Sequence, residues 1–372
     1  MHTDPTRIKR SGNFVPMIYN FNAGPGILPA EVLKEAAEAV IDFNGSGLSL
    51  LEVGHREAPF VAVMEEARQL VKELMQLEAN REVLFLQGGA TMQFMQVPMN
   101  LLGTHQVAAY TETGTWSSKA IKEAKVFGHV EIAGSGKDSN YTQIPTVINC
   151  SDTSAYLHIT TNETIAGTQW HNIPYQQQVP LVAYMSSDVF SRQLDFNRFG
   201  LIYAGAQKNT GAAGVTMVVV NPDILGKTDR TIPSILDYRL HIKEASMLNT
   251  PPVFAVYVVM LNLRWLKKQG GIKVMEEINQ QKSDLLYQTL ESTPLFNLPV
   301  SKESRSKMNV VFTMNNPELE KIFMQQCKDA GIVGIKGHRS VGGFRASLYN
   351  ALPLSHIQVL TDLIRDFAQK NG

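Results

Sequence analysis

The sequence predicts an α/β protein: a mostly parallel sheet covered by helices, followed by a smaller α+β unit. Three observations carry this. Short apolar runs with few interior polar residues recur through the first 220 positions, the mark of strands buried on both faces. Longer stretches around them place apolar residues every three to four positions, which reads as helix. After Gly270-Gly271 the pattern changes to a unit of about a hundred residues with its own strands and helices.

The elements follow in order. Pro29 sits at a helix start, where its missing N–H costs nothing. Val32, Leu33, Ala36, Ala37, Val40 and Ile41 then repeat with helical spacing, and a second helix runs over residues 58–77. Strands are expected at 83–86, 107–110, 156–159, 181–183, 201–204 and 215–220. Functional residues in such sheets gather just past the strand C-termini. A long helix spans 254–268 and is closed by the glycine pair. Beyond it come a strand at 309–313, a helix at 317–330, strands at 332–335 and 344–348, and a final helix at 353–369. The expected organisation is an N-terminal extension over 1–16, a large domain over 17–270 whose first residues pack with the small one, and a small C-terminal domain over 271–372.

Composition narrows the function. The hydrophobic fraction of 44% supplies a sizeable core, which excludes wholesale disorder. Lys plus Arg and Asp plus Glu both number 34, so the net charge is zero, which argues against a nucleic-acid or anionic-membrane binder. Only 18% of residues are charged, against about 25% in an average soluble protein, a hint of an oligomer. Residues 1–16 have no apolar core of a secretory signal, and no apolar run is long enough to span a bilayer. Two cysteines, Cys150 and Cys327, make no disulfide scaffold. A cytoplasmic protein without a metal site is expected.

Common nucleotide signatures fail. Gly134-Ser135-Gly136-Lys137 is followed by Asp138 and lacks the upstream glycine of a P-loop; Gly45-Ser46-Gly47 lacks the third glycine of a dinucleotide fingerprint. Gln87-Gly88-Gly89-Ala90-Thr91 differs from these. It follows a strand and opens a helix, so it is either a phosphate cup of free N–H groups or a plain tight turn. Lys208 lies among small residues in Tyr203-Ala204-Gly205-Ala206-Gln207-Lys208-Asn209-Thr210-Gly211. It either snorkels to solvent or occupies a site. A lysine near a phosphate cup is the composition of a pyridoxal phosphate site, where the amine forms a Schiff base.

Several longer strings resemble the phosphoserine aminotransferase family, within the fold-type I pyridoxal phosphate enzymes of aminotransferase class V. They are Asn22-Ala23-Gly24-Pro25, Glu52-Val53-Gly54-His55-Arg56, Asn162-Glu163-Thr164-Ile165, the Lys208 string, Pro233-Ser234-Ile235-Leu236-Asp237-Tyr238, Asn249-Thr250-Pro251-Pro252, and Lys336-Gly337-His338-Arg339 through Arg345-Ala346-Ser347. The resemblance covers Met17 to Gly372.

The resemblance implies a role for each position. Lys208 would bind the cofactor and move the substrate α-proton. Ala90, Thr91 and Gln207 would hold the cofactor phosphate. Trp116 would stack on the pyridine ring, its plain alternative being a core aromatic. Thr164 would bond the ring hydroxyl. Asn249 and Thr250 would reach the phosphate from a neighbouring subunit, so a homodimer with shared active sites is implied. Arg345 would grip the α-carboxylate, and His55, Arg56, His338 and Arg339 the distal anion of phosphoserine or glutamate. Two departures stand out. Thr91 replaces an arginine found in many members. Tyr184, in the cofactor site twenty-four residues before Lys208, stands where the family carries the aspartate that pairs with the ring nitrogen. The implied activity is transamination between phosphoserine and 2-oxoglutarate in serine biosynthesis, with phosphohydroxythreonine in pyridoxine biosynthesis as a second substrate. The alternative is a cofactor- or phospho-ligand-binding protein impaired by Tyr184. A desulfurase of the same fold would need a cysteine in a mobile Gly-rich loop, and neither cysteine has that setting.

Overall fold

Seven strands form the main sheet, in the order Glu82–Leu86, Thr216–Val220, Leu201–Gly205, Leu181–Tyr184, Leu157–Thr160, Val107–Glu112 and His129–Ser135. Neighbours pair parallel except around Thr216–Val220, which runs antiparallel to both strands beside it. The other six therefore point their C-termini to one edge, and the site lies there. This computed structural model describes residues 17–372; the expected extension over 1–16 lies outside the described residues.

Alternation along each strand sends successive side chains to opposite faces. Val83, Phe85, Leu181, Ala183, Ile202 and Ala204 enter one core, with helices Ala30–Ile41, Ala58–Leu74 and Val253–Lys268. Leu84, Leu86, Val182, Tyr184, Leu201 and Tyr203 enter the other, with helices Gly89–Leu101 and Thr115–Ala124. Both faces are buried, so consecutive positions must be apolar. Each fully buried large aliphatic side chain stabilises by about 1.5–3 kcal/mol.

The C-terminal unit has an antiparallel sheet of Phe296–Asn297, Asn309–Met314 and Phe344–Ser347, packed on helices Pro317–Asp329 and Leu354–Asn371. Its core includes Phe21, and Tyr19–Asn20 pairs parallel with Ile332–Val333. Helix Gly271–Glu291 serves both units: Ile272 and Met275 lie in the first core, Leu286 and Leu290 in this one. We propose the domain boundary at Gly270, whose φ of 100° turns the chain between two helices.

Several expectations need correction. Pro29 is the cap residue of its helix and not the first helical residue. That helix buries Val32, Ala36 and Ala39, while Leu33 and Ile41 are exposed. The second helix stops at Leu74, where Met75 and Gln76 break the pattern, Gln76 with a positive φ. Strand His129–Ser135 was not expected. It lies at the sheet edge and buries only Ala133, so it has no apolar run. Helix Gly271–Glu291 was not expected either, because its inward positions include Asn279, Lys282 and Ser283. Polar residues at core spacing hid the helical period. No helix of the described residues is long and apolar enough to cross a membrane.

Candidate active site

Lys208 follows strand Leu201–Gly205 and is buried, with 7% of its surface exposed. Its Nζ donates to Thr164 Oγ1 at 2.7 Å and to Tyr184 Oη at 3.4 Å. It lies 4.9 Å from the Trp116 ring centroid. Burial lowers its pKa from 10.5 to about 7, opposed by Glu163 and Asp188 and assisted by Arg345. An amine with a large neutral fraction near pH 7 is a nucleophile and a base. Three other elements bring its neighbours. Trp116 is in the first turn of helix Thr115–Ala124, Thr164 follows strand Asn162–Glu163, and Tyr184 ends strand Leu181–Tyr184.

Glu163 fixes two of these. Its carboxylate is buried and accepts the backbone N–H groups of Trp116, at 3.1 Å, and Ser117, at 2.9 Å. A carboxylate at a helix N-terminus satisfies orphan donors and favours the dipole. Burial raises its pKa, and those hydrogen bonds and Lys208 oppose the rise. One acidic residue thus sets Trp116 on one side and, through its neighbour Thr164, the hydroxyl on the other.

The glycine turn has the geometry of an anion cradle. Helix Gly89–Leu101 starts after Gly88, whose φ is 90°, and no side chain caps it. Its first N–H groups are open, with partial positive charge. A Cβ on Gly205 would meet Gln207 Oε1 at 2.7 Å and the Ala90 nitrogen at 3.4 Å. Gly205, Ala90 and Gln207 thus border one small space, and Thr91 is exposed in the next position. Asn249 and Thr250 lie near the same turn in this chain: Gln87 Nε2 donates to the Thr250 carbonyl at 2.5 Å.

Arg345, on strand Phe344–Ser347, donates from Nη1 to the Thr164 carbonyl at 3.3 Å, and its Nε is buried without a hydrogen bond. Burial lowers its pKa. An unsatisfied guanidinium donor facing Thr164 and Lys208 is poised for an anion. His338 is nearby, with Nδ1 against Ser340 Oγ at 2.7 Å. Burial, then Arg345, Arg339 and Lys119, lower its pKa. Within one chain the described contacts do not join His55 or Arg56 to this group; His55 Nε2 is buried without a partner.

Tyr184 Oη is beside the lysine, and its ring stacks on Tyr203 with centroids 5.3 Å apart. Burial raises its pKa, so it is a neutral phenol at pH 7. The nearby carboxylates are engaged elsewhere. Asp188 accepts from Thr161 Oγ1 at 2.5 Å and Gln169 Nε2 at 3.2 Å, and pairs with Arg192 at 3.3 Å. Sequence reasoning missed the anchoring role of Glu163 and the tight packing of residues 24–26. A Cβ on Gly26 would lie 2.6 Å from the Lys208 carbonyl oxygen. The string Asn22-Ala23-Gly24-Pro25 just before it was visible, but nothing local places Gly26 against a residue 182 positions away.

A nucleophilic amine under an indole, an open helix N-terminus and unpaired cations suit a phosphorylated aldehyde cofactor and an amino acid. The chain matches the model of the class-V aminotransferases over residues 18–360 and belongs to that family. It is 53% identical to the phosphoserine aminotransferase of Flavobacterium johnsoniae over 95% of this chain and 99% of that one. The phosphoserine aminotransferase structure from Bacillus circulans subsp. alkalophilus superposes with a TM-score of 0.93 at 43% identity, covering 96% of this chain and 99% of that one. The pyridoxal phosphate-bound enzyme from Trichomonas vaginalis does so with 0.89 at 34%, covering 94% and 100%. Within the class, the chain is thus a phosphoserine aminotransferase, a transaminase that uses pyridoxal phosphate.

Proposed function

We propose that the chain exchanges an amino group between O-phospho-L-serine and 2-oxoglutarate, forming 3-phosphohydroxypyruvate and L-glutamate, in L-serine biosynthesis. The corresponding phosphohydroxythreonine reaction of pyridoxine biosynthesis is a second activity of the same site. The observation that carries the reading is the buried Lys208 amine at hydrogen-bond distance from Thr164 and over Trp116, facing an arginine with a free donor.

Pyridoxal phosphate, when bound, supplies the aldehyde and the electron-accepting ring of the reaction. The chain supplies the rest. Lys208 would attach the cofactor, and its Nζ would take the substrate α-proton and carry it during the exchange. Ala90, Thr91 and Gln207 hold the cofactor phosphate, with Asn249 and Thr250 of a second copy of this chain. Trp116 and Tyr184 border the ring, and Thr164 holds its hydroxyl. Arg345 grips the α-carboxylate, and His55, Arg56, His338 and Arg339 take the distal anion. Two active sites are shared across a cytoplasmic homodimer.

A coupled assay of phosphoserine with 2-oxoglutarate on the purified holoenzyme tests the reading; no turnover above a Lys208→Ala control overturns it. The division of labour has its own test. Arg345→Leu should lower kcat/KM for every amino acid. Arg339→Leu should lower it for phosphoserine and glutamate and spare alanine, by about 2–5 kcal/mol of lost charge contact.

A further inference from the structure

We propose that Lys119 completes the anion-binding side of this site, as a cation that reads the distal group of the substrate and favours a phosphate dianion over a carboxylate. The proposal rests on the phosphoserine reading above. No motif of the sequence pointed to this residue.

Lys119 sits three residues after Trp116 in helix Thr115–Ala124, on the same face. Its Nζ lies 4.6 Å from the Trp116 ring centroid, and Lys208 Nζ lies 4.9 Å from the same centroid. Two lysine Nζ atoms therefore meet one indole, and one of them belongs to the buried Lys208. The helix that presents Lys119 is anchored at its start by the Glu163 carboxylate. That anchor and the cation–π contact restrict a long side chain before any ligand arrives, which lowers the entropy cost of using it.

Lys119 is exposed and forms no ion pair among the described residues. Neither Arg339 nor Arg345 forms one there. The field at His338 comes from Arg345, Arg339 and Lys119, all of one sign. Cations of like sign that lack a direct ion-pair partner repel one another, and an arriving polyanion relieves the repulsion. With Arg345 on the α-carboxylate, Lys119 adds a further positive charge to those of Arg56 and Arg339 at the distal group. Each added charge gains more from a phosphate dianion than from a singly charged carboxylate.

The experiment compares the holoenzyme with its Lys119→Met and Lys119→Arg variants. The kcat/KM ratio of phosphoserine to glutamate should fall about tenfold in Lys119→Met, as for loss of one hydrogen bond to a charged group. The fall should lie in KM and not kcat, and Lys119→Arg should recover most of it. An unchanged ratio, or equal losses for both substrates, would mean that the lysine only braces Trp116, and would overturn the proposal. Calorimetric binding of inorganic phosphate to the same proteins requires no turnover. Weaker phosphate binding in Lys119→Met supports the proposal, and equal binding sinks it. Wild-type protein that binds phosphate but does not turn over phosphoserine would instead sink the functional reading on which the proposal rests.

Discussion

Lys208 shows how a single residue acquires chemistry from its surroundings. In water its amine would be charged at pH 7, but burial brings the pKa to about 7. The neutral fraction of the free amine therefore rises as pH passes through about 7 and saturates about one unit above. The rate at which cofactor-free protein captures pyridoxal phosphate should follow that curve, read from the absorbance of the bound cofactor. A rate still climbing at pH 10 would point to an ordinary exposed lysine. Lys208→Ala should leave no borohydride-fixed adduct; an adduct on another lysine would overturn the assignment. Tyr184 poses the opposite case. A protonated pyridine nitrogen accepts electrons best, and a nearby carboxylate favours that charge. The phenol at this position is neutral, and Asp188 is held by Thr161, Gln169 and Arg192. Tyr184→Asp should raise turnover by about two orders of magnitude, the usual effect of one preorganised electrostatic group. It should also raise the pH at which the bound cofactor's ring nitrogen loses its proton, read by nitrogen NMR. Neither change appearing would mean that the ring nitrogen needs no charged partner in this chain.

Elements matter here through how closely they approach. The loop at residues 24–26 lies against the turn that carries Lys208: Gly26 N–H donates to the Gln207 carbonyl at 2.7 Å. A Cβ at Gly26 would meet the Lys208 carbonyl oxygen at 2.6 Å and the Tyr349 ring at 2.7 Å. One contact is backbone and the other a buried ring, so neither can simply swing away. Gly26→Ala should cost about 1–3 kcal/mol by overpacking, measured by urea unfolding, and should loosen cofactor binding. Unchanged stability would mean that the loop shifts freely. The string ending at Pro25 was legible in the sequence, and the close approach of Gly26 was not. Similarly, helix Gly89–Leu101 could be placed after its strand from sequence, yet the small space at its start depends on Gly205 and Gln207 arriving from a different strand end.

For the whole molecule, the link between the two cores is a line of polar side chains. Asn209, next to Lys208, accepts from the Asn350 N–H at 2.9 Å. Asn350 Oδ1 accepts from Asn279 at 2.9 Å, and one turn on, Lys282 donates to the carbonyls of Leu348 and Tyr349 at 3.0 and 2.9 Å. Lys282 is fully buried, and burial lowers its pKa from 10.5 to about 7. Between those values the unfolded chain holds a proton that the folded chain does not. Stability therefore rises with pH across that window, and the penalty is fully present below about pH 7. Lys282→Met should reduce the slope of unfolding free energy between pH 7 and 9 by as much as about 1.4 kcal/mol per pH unit. Urea titrations at several pH values would measure it, and a slope equal to wild type would mean that the amine stays charged in the fold.

The sequence by itself determined the fold class, because strands buried on both faces must be apolar at every position. It marked most of the strands of the main sheet, the glycine turn, Lys208 and the arginines that carry the proposed chemistry. What it left out has one physical cause. Strand His129–Ser135 and helix Gly271–Glu291 do not follow a simple apolar period: one is at an edge and the other buries polar side chains. The site itself is a tertiary product. Glu163 orients Trp116, Gly26 packs on Lys208, and Lys119 faces the same indole as the reactive amine, across separations in sequence that no local pattern spans. Even the lysine's reactivity was decided there. An amine's charge depends on the water it has lost and on the hydroxyls and charges that replace it, and only the folded chain sets both.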